Sequence, residues 1–239
     1  VLTHSFPTRR SSDLGKPVDT LDGSLSGTVD LGGTYNNPNI NVVGSINNVS
    51  IDDKVVGDAK VDVALENRKF KIRTLKLPVD DGLVAAGGTI DLDGDADLQI
   101  AVRDVDIKPF LPLIGKDIKA TGSVTGVINM TGATKNPKVE LSASLANGSY
   151  NGIDIDQGFV LATMQDHVIN VQRIQGAKGG YKLSIYGKIP LAALYTSGYI
   201  EASNAKSMDV TIDFNEADMA VIPLVTTSVK DATGPLKGV

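Results

Sequence analysis

A long internal repeat is the feature of this sequence that most limits how the chain can fold. Gly23-Ser24-Leu25-Ser26-Gly27 returns as Gly122-Ser123-Val124-Thr125-Gly126, 99 residues further on. The same offset, without a gap, aligns Asn37-Pro38 with Asn136-Pro137 and runs as far as Leu191. A fixed period of this kind is typical of an array of similar units, each packed on its neighbours, rather than of unrelated domains.

The repeat also sets the predicted boundaries of the units. After Leu191 the offset grows to 112 residues, as from Leu98 to Val210, so the second unit holds 13 extra residues near Tyr195–Ser207. We predict a first unit over residues 15–121, a second over 122–233 and the start of a third over 234–239.

The first fourteen residues do not follow the repeat. Ser5-Phe6-Pro7-Thr8-Arg9-Arg10-Ser11-Ser12-Asp13-Leu14 matches the translation of a short-read sequencing adapter and ends where the Gly-rich pattern begins. We therefore exclude residues 1–14 from the fold and expect an internal fragment of a longer protein of metagenomic origin. A natural basic, Ser-rich leader is the alternative.

Each unit has the pattern of an all-β structure. Apolar and polar residues alternate at period two through Lys60–Glu66, Val139–Leu145 and Asp209–Phe214. Turn-forming residues separate such segments, at positions 36–38, 80–82, 93–94, 147–148 and 151–152. We predict about six strands per unit, in one elongated, curved, mainly antiparallel sheet.

Two irregularities refine that prediction. The apolar residues change parity at Ile72/Leu75 and at Val102/Val105, which indicates β-bulges. Lys108–Ile114 and its counterpart Ala220–Val225 break the alternation, and we predict a single helical turn at each.

One-sided strands require a cover for their apolar face. A second sheet with a filled core is one solution. The other is an open trough that holds acyl chains. Two features favour the trough: aromatic residues are only 5% of the chain, and small residues stand at Ala86, Gly88, Gly126, Ala143 and Gly187. The candidate residues for a lipid-binding groove are Val42, Val61, Val63, Ile72, Ile100, Val124, Ile128, Val139, Leu141, Ile185 and Val210.

Composition argues against most other chemistry. The chain has no Cys and two His, which leaves little material for a metal site or a His-based catalytic triad. Its net charge is −5 without a basic stripe, so we expect no nucleic-acid partner. We predict no catalytic residues, no cofactor and no metal.

Three local motifs have structural explanations. Asp91–Asp97 lacks the Gly and Glu spacing of a calcium-binding EF-hand loop, and a tight hairpin at Asp93-Gly94 accounts for it. Gly176–Gly180 lacks the spacing of a P-loop and is predicted to be a loop between strands. His167 is predicted to be a polar turn residue. The longest apolar runs, such as Val221–Val225, are too short to span a bilayer.

The order of motifs resembles the repeating unit of the TamB family, which belongs with the AsmA-like envelope proteins. In Gly23–Ile46 and Gly122–Leu145, a Gly-x-apolar-x-Gly segment is followed by an alternating strand, a Gly, Asn-Pro and another alternating strand. Asp104–Leu111 is similar to the strand-to-short-helix stretch of that family. The resemblance covers nearly all of residues 15–239.

The resemblance implies a β-taco-like sheet with a continuous hydrophobic groove in the periplasm of a diderm bacterium. Phospholipid acyl chains would travel along it towards the outer membrane, or the protein would support outer-membrane protein assembly. An inner-membrane anchor elsewhere in the full protein and an outer-membrane β-barrel partner are also implied, although neither an anchor helix nor a partner-binding segment is recognisable here. The alternatives are a β-rich structural repeat or adhesin stalk with no lipid ligand and a sandwich-type accessory domain of an enzyme.

Overall fold

The computed structural model describes residues 21–114, 119–178, 181–191, 207–218 and 234–238. These residues form one open, curved, antiparallel sheet in which the order of the strands is their order in the chain. The all-β, elongated, curved sheet predicted from the sequence is therefore confirmed. The strands are β1 (Leu21–Thr34), β2 (Asn37–Ile51), β3 (Lys54–Glu66), β4 (Lys69–Val79), β5 (Gly82–Asp91), β6 (Asp95–Asp106), β7 (Ala120–Ala133), β8 (Lys138–Tyr150), β9 (Ile153–Gln165), β10 (Val168–Lys178), β11 (Tyr181–Pro190), β12 (Asp209–Asp218) and β13 (Pro235–Gly238).

Tight turns explain why each strand from β1 to β6, and from β7 to β11, pairs with the next one. Asp52-Asp53, Asn67-Arg68, Asn151-Gly152 and Asp166-His167 all have positive φ at both residues. Two-residue hairpins of that type match the right-handed twist of the flanking strands, and Asn, Asp and Gly reach positive φ at the lowest cost. The predicted turn position of His167 is thus correct.

The repeat of the sequence is also a repeat of the backbone. Strands β1, β3, β4 and β5 begin 99 residues before β7, β9, β10 and β11. Residues with positive φ recur at the same offset, for example at Gly33 and Gly132 and at Gly88 and Gly187. Six long strands precede the segment between β6 and β7, as expected for one unit.

Both predicted bulges are present. The register between β4 and β5 shifts between Ile72 and Leu75, and that between β6 and β7 shifts between Val102 and Val105. In each case an extra residue returns the next apolar side chain to the same face of the sheet. The parity change in the sequence is therefore a device that keeps one face apolar past an irregularity.

The predicted helical turn after β6 is also present. A 3₁₀ turn at Lys108–Phe110 leads directly into α1 (Leu111–Ile114). We call Lys108–Ile114 the helical link. Its predicted counterpart at Ala220–Val225 lies outside the described residues, as do residues 1–14 and most of the predicted insertion.

Two local predictions were wrong. Asn147-Gly148 is not a turn but part of β8, where Asn147 has φ +49° and Gly148 pairs with Ile155, because a bulged strand accepts the same residues as a turn. Residues 176–178 are not a loop but the end of β10, where Lys178 pairs with Tyr181.

The sheet is a single layer in the part of the chain that the structure describes. Each strand there packs extensively only against its sequence neighbours, and no second sheet covers either face. Buried apolar side chains are correspondingly few: eleven among the described residues, of which four are Ala59, Ala64, Ala96 and Ala162. A filled two-sheet core is therefore not the arrangement of these residues.

Candidate functional site

The strand registers place an unbroken row of apolar residues across the sheet. Directly paired residues lie on the same face, so a row can be followed from strand to strand. The row that crosses β1 to β12, which we call the long row, is Gly27, Gly44, Val61, Leu75, Ala86, Ile100, Ile128, Leu141, Ala162, Val171, Gly187 and Val210.

A second row runs beside the first on the same face. From β1 to β11 it is Val29, Val42, Val63, Ile72, Gly88, Leu98, Met130, Val139, Met164, Ile169 and Ile189. No side chain in either row carries a polar group. We call this side of the sheet the apolar face. Its members are mostly half-buried by their neighbours, although Val29 and Val210 remain 46% and 39% exposed.

The structure brings all the candidate groove residues onto this apolar face. Nine of them belong to the two rows. The other two lie in adjacent rows, where Val124 pairs with Leu145 and Ile185 pairs with Ile174. The eleven residues thus form one surface rather than separate sites.

Sequence reasoning missed other members of the same surface. Leu75, Leu98 and Met130 lie in the rows but were not among the candidates. So do Ala162 and Val171, which stand 99 residues after Val63 and Ile72. Carrying each candidate across the repeat offset would have identified this last pair.

The opposite side of the sheet is mainly polar. One of its rows is Asp30, Asn41, Ala64, Lys71, Thr89, Asp97, Thr131 and Lys138. Arg73 is the extra residue of the bulge in β4. It forms an ion pair with Asp62 and donates to Asn41 Oδ1 at 3.1 Å. We call this side the polar face. The two sides of the sheet therefore differ sharply in what they offer a ligand.

The recurring Asn-Pro motif has a structural role at one edge of the sheet. Asn37 Nδ2 donates to Asn67 Oδ1 at 3.0 Å, and Asn136 Nδ2 donates to Asp166 Oδ1 at 2.7 Å. Each bond ties one hairpin turn to the next turn along the same edge. The Asn of the motif therefore joins successive hairpins of the array.

Backbone bonds continue this connection between turns. The Leu92 amide donates to the Arg68 carbonyl at 3.0 Å, and the Leu191 amide donates to the His167 carbonyl at 2.8 Å. Because His167 stands at the position of Arg68 in the repeat, its conserved contact across the two units is made by its backbone. That contact supports a structural role for this position.

The Asp-rich hairpin after β5 is held by an ion pair. The Arg68 guanidinium hydrogen-bonds Asp93, which lowers the pKa of that carboxyl below its usual range and raises the pKa of Arg68. Asp91 Oδ1 accepts the Asp93 amide at 3.0 Å. Among the described residues no three His, Asp or Glu side chains are placed to hold a metal ion.

The described residues line a cavity on each side of the sheet. The larger, of about 530 Å³, is lined by residues 144–146, 157–159, 175–177 and 182–183. It lies on the polar side, because most of these residues, such as Gln157, Phe159, Gln175 and Lys182, belong to rows of the polar face. The smaller, of about 210 Å³, lies on the apolar face beside the helical link.

Between those polar-face rows runs the row of Leu145, Gly158, Gly176 and Leu183, which belongs to the apolar face. It has no side chain at Gly158 and Gly176, and we call this gap in the apolar face the glycine notch.

Comparisons with known protein families, with curated proteins and with solved structures give no match to this chain. None of the helices in the described segments has the length and apolar character needed to cross a bilayer.

Proposed function

We propose that this chain is part of a periplasmic TamB- or AsmA-like protein that carries phospholipid along its apolar face between the inner and outer membranes, or supports outer-membrane protein assembly. The observation that carries the proposal is the long row, which is apolar at every position across twelve strands and over which the described residues place no second sheet. Exposed apolar surface of this extent marks an interaction site in a folded protein.

The dimensions and chemistry of the surface suit acyl chains. At a spacing of about 4.8 Å, twelve strands span roughly 50 Å. Each methylene group that leaves water contributes about 0.8 kcal/mol, so a chain lying along the rows is held without polar contacts. Since no polar side chain marks a fixed position along either row, an acyl chain can move along the sheet while its headgroup stays in water.

The competing function is a structural repeat or adhesin stalk with no lipid ligand. The bonds between hairpin turns would serve such a stalk equally well. A stalk has no need of an uncovered apolar face, however, and in water such a face promotes aggregation. Lipid binding therefore explains the uncovered apolar face, which a stalk does not.

Charge placed on the apolar face tests the proposal. We expect Val63→Asp and Leu141→Asp each to reduce co-purifying phospholipid about tenfold or more, because a carboxylate facing an acyl chain costs at least roughly 1.4 kcal/mol. The measurement is mass spectrometry of lipid extracted from chain purified without detergent from the periplasm of a diderm host.

Matched controls exist on the polar face. Val43 and Leu161 are 46% and 37% exposed there, and each lies in the same unit as one of the test positions. Val43→Asp and Leu161→Asp should leave the phospholipid content and the β-sheet circular dichroism unchanged. A wild-type chain without lipid, or equal losses in test and control variants, would favour the stalk.

A further inference from the structure

The helical link closes one side of a small cavity on the apolar face. Its described lining consists of six hydrocarbon side chains from β5, β6, β7, the helical link and the residue that joins β6 to the link. They are Val84, Val102, Val105, Ile107, Phe110 and Val124.

Local bonds fix the link in this position. At the bulge in β6, the Asp104 amide donates to Thr125 Oγ1 at 3.0 Å, and that hydroxyl donates back to Asp104 Oδ1 at 3.1 Å. The bulge returns Val105 to the apolar face, where it is 2% exposed. The Ile107 amide then donates to the Gly122 carbonyl at 3.0 Å, which anchors the start of the turn to β7.

The turn itself directs Phe110 towards the sheet. Asp106 Oδ1 accepts the Lys108 amide at 3.0 Å, and the Phe110 amide donates to the Ile107 carbonyl at 2.9 Å. Pro109 restricts the backbone in the first turn. Leu111, which follows, is buried. The cavity is therefore bounded on one side by a braced turn rather than by a free loop.

The chemistry of the cavity selects an apolar occupant. Water in a cavity needs two to four polar partners, and none of the six lining side chains offers one. An apolar cavity of about 150 Å³ is already large enough to bind benzene, and this one has about 210 Å³. It opens onto the apolar face, because Val84 and Val102 are cross-strand partners there.

We propose that this cavity, the link pocket, seats the terminal methyl segment of an alkyl chain that lies on the apolar face. The choice of a lipid tail as the occupant rests on the proposed function. The pocket gives the otherwise uniform surface a place where a chain end is held. Phe110 covers the seated segment, and Val84, Val102 and Val124 form its floor.

Two photoreactive palmitates test the assignment on the full chain. One carries a diazirine at the terminal carbons and the other carries it next to the carboxylate. After irradiation, adducts are mapped by peptide mass spectrometry. We expect the terminal probe to label the peptides that contain Val84, Val102 and Phe110 about fivefold more than the carboxyl-end probe does.

Variants on two elements check that the pocket causes this pattern. Val84→Phe fills the cavity from the sheet, and Phe110→Ala removes its cover from a turn outside the sheet, so a folding defect in the first leaves the second informative. Each should reduce terminal-probe labelling of these peptides about fivefold. Phe159→Ala, the same truncation on the polar face, should leave it unchanged. Circular dichroism verifies the fold of each variant.

The outcomes separate this inference from the proposed function. Even labelling along the apolar face, or labelling unaffected by both variants, overturns the link pocket and leaves lipid binding by the face in place. Labelling confined to the pocket, with the phospholipid content unaffected by Val63→Asp and Leu141→Asp, upholds the pocket and overturns the proposed function. Absence of labelling anywhere on the apolar face overturns both.

Discussion

The two units of the sheet share a backbone plan but differ in the side chains that they present on the apolar face. Gly88 and Gly187 have φ values of +136° and +144°, and Asn48 and Asn147 have φ values of +53° and +49°. The row of Leu145, Gly158, Gly176 and Leu183 in the second unit corresponds, 99 residues earlier, to Ile46, Ala59, Leu77 and Val84. The first unit therefore carries side chains where the second has the glycine notch.

This difference teaches which properties the array repeats. Turns, bulges and the one-sided apolar pattern recur in both units, whereas the shape of the apolar surface differs between them. A rigid partner requires a binding surface of constant shape, since side-chain packing is sensitive to single methylene groups. A flexible acyl chain requires only a continuous apolar strip. The comparison therefore supports the proposed lipid occupant over a rigid ligand.

The largest expected effect tests the shared backbone plan. Gly88→Ala and Gly187→Ala should each destabilise their unit by about 2 kcal/mol or more, because a Cβ there meets a backbone carbonyl at 2.1 Å and positive φ disfavours any side chain. Hydrogen exchange of the flanking strands measures the local loss. Gly87→Ala is the control, since its Cβ lies 3.7 Å from the nearest atom. Unequal losses in the two units would contradict structural equivalence.

Exchanging the side chains that differ between the units tests whether the fold requires the shape of each apolar surface. Leu77→Gly should destabilise the first unit by about 2 kcal/mol, from lost apolar burial and added chain entropy. Gly176→Leu should fill the notch and stabilise the second unit by about 0.5–1 kcal/mol, because nothing lies within 4 Å of the new Cβ. Denaturant unfolding measures both. A destabilising Gly176→Leu would mean that the notch is required by the fold.

The smallest expected effect concerns the ion pair of the first unit. The Asp93 carboxylate has a lowered pKa in the folded chain because Arg68 hydrogen-bonds it. Its stabilisation is therefore present above the unfolded pKa of about 3.9 and is lost as the pH falls through the lower folded value. Carbon-13 NMR titration of the carboxyl groups should show Asp93 titrating below the ordinary range of Asp carboxyls. Arg68→Gln should return Asp93 to the ordinary range, and an unchanged titration would contradict the assignment.

Much of this architecture follows from the sequence because its determinants are local. Period-two alternation through Lys60–Glu66 predicts β3, and the parity change at Ile72/Leu75 predicts the bulge in β4. From β1 to β6 and from β7 to β11, pairing of each strand with the next follows from turns too short for any other connection. The shared face of the candidate residues follows in turn from alternation and antiparallel pairing.

Features that depend on several strands at once were not predictable in this way. The glycine notch requires knowing that Gly158 and Gly176 are cross-strand partners, which the register of β9 and β10 decides. The link pocket requires the path of Phe110 back over β5 to β7. Asn147-Gly148 misled the prediction because the same dipeptide suits a hairpin turn and a bulge.

The central claim is that the two units present one apolar face to lipid, and adjacent residues of β7 test it most directly. Ile128 lies in the long row, and Val127 faces the polar side, paired with Ala101 and Ser142. A photoreactive benzoylphenylalanine replaces each in turn, and lipid adducts are quantified after irradiation in cells. We expect phospholipid adducts at position 128 and not at 127. Equal labelling at both positions, or none at 128, would contradict it.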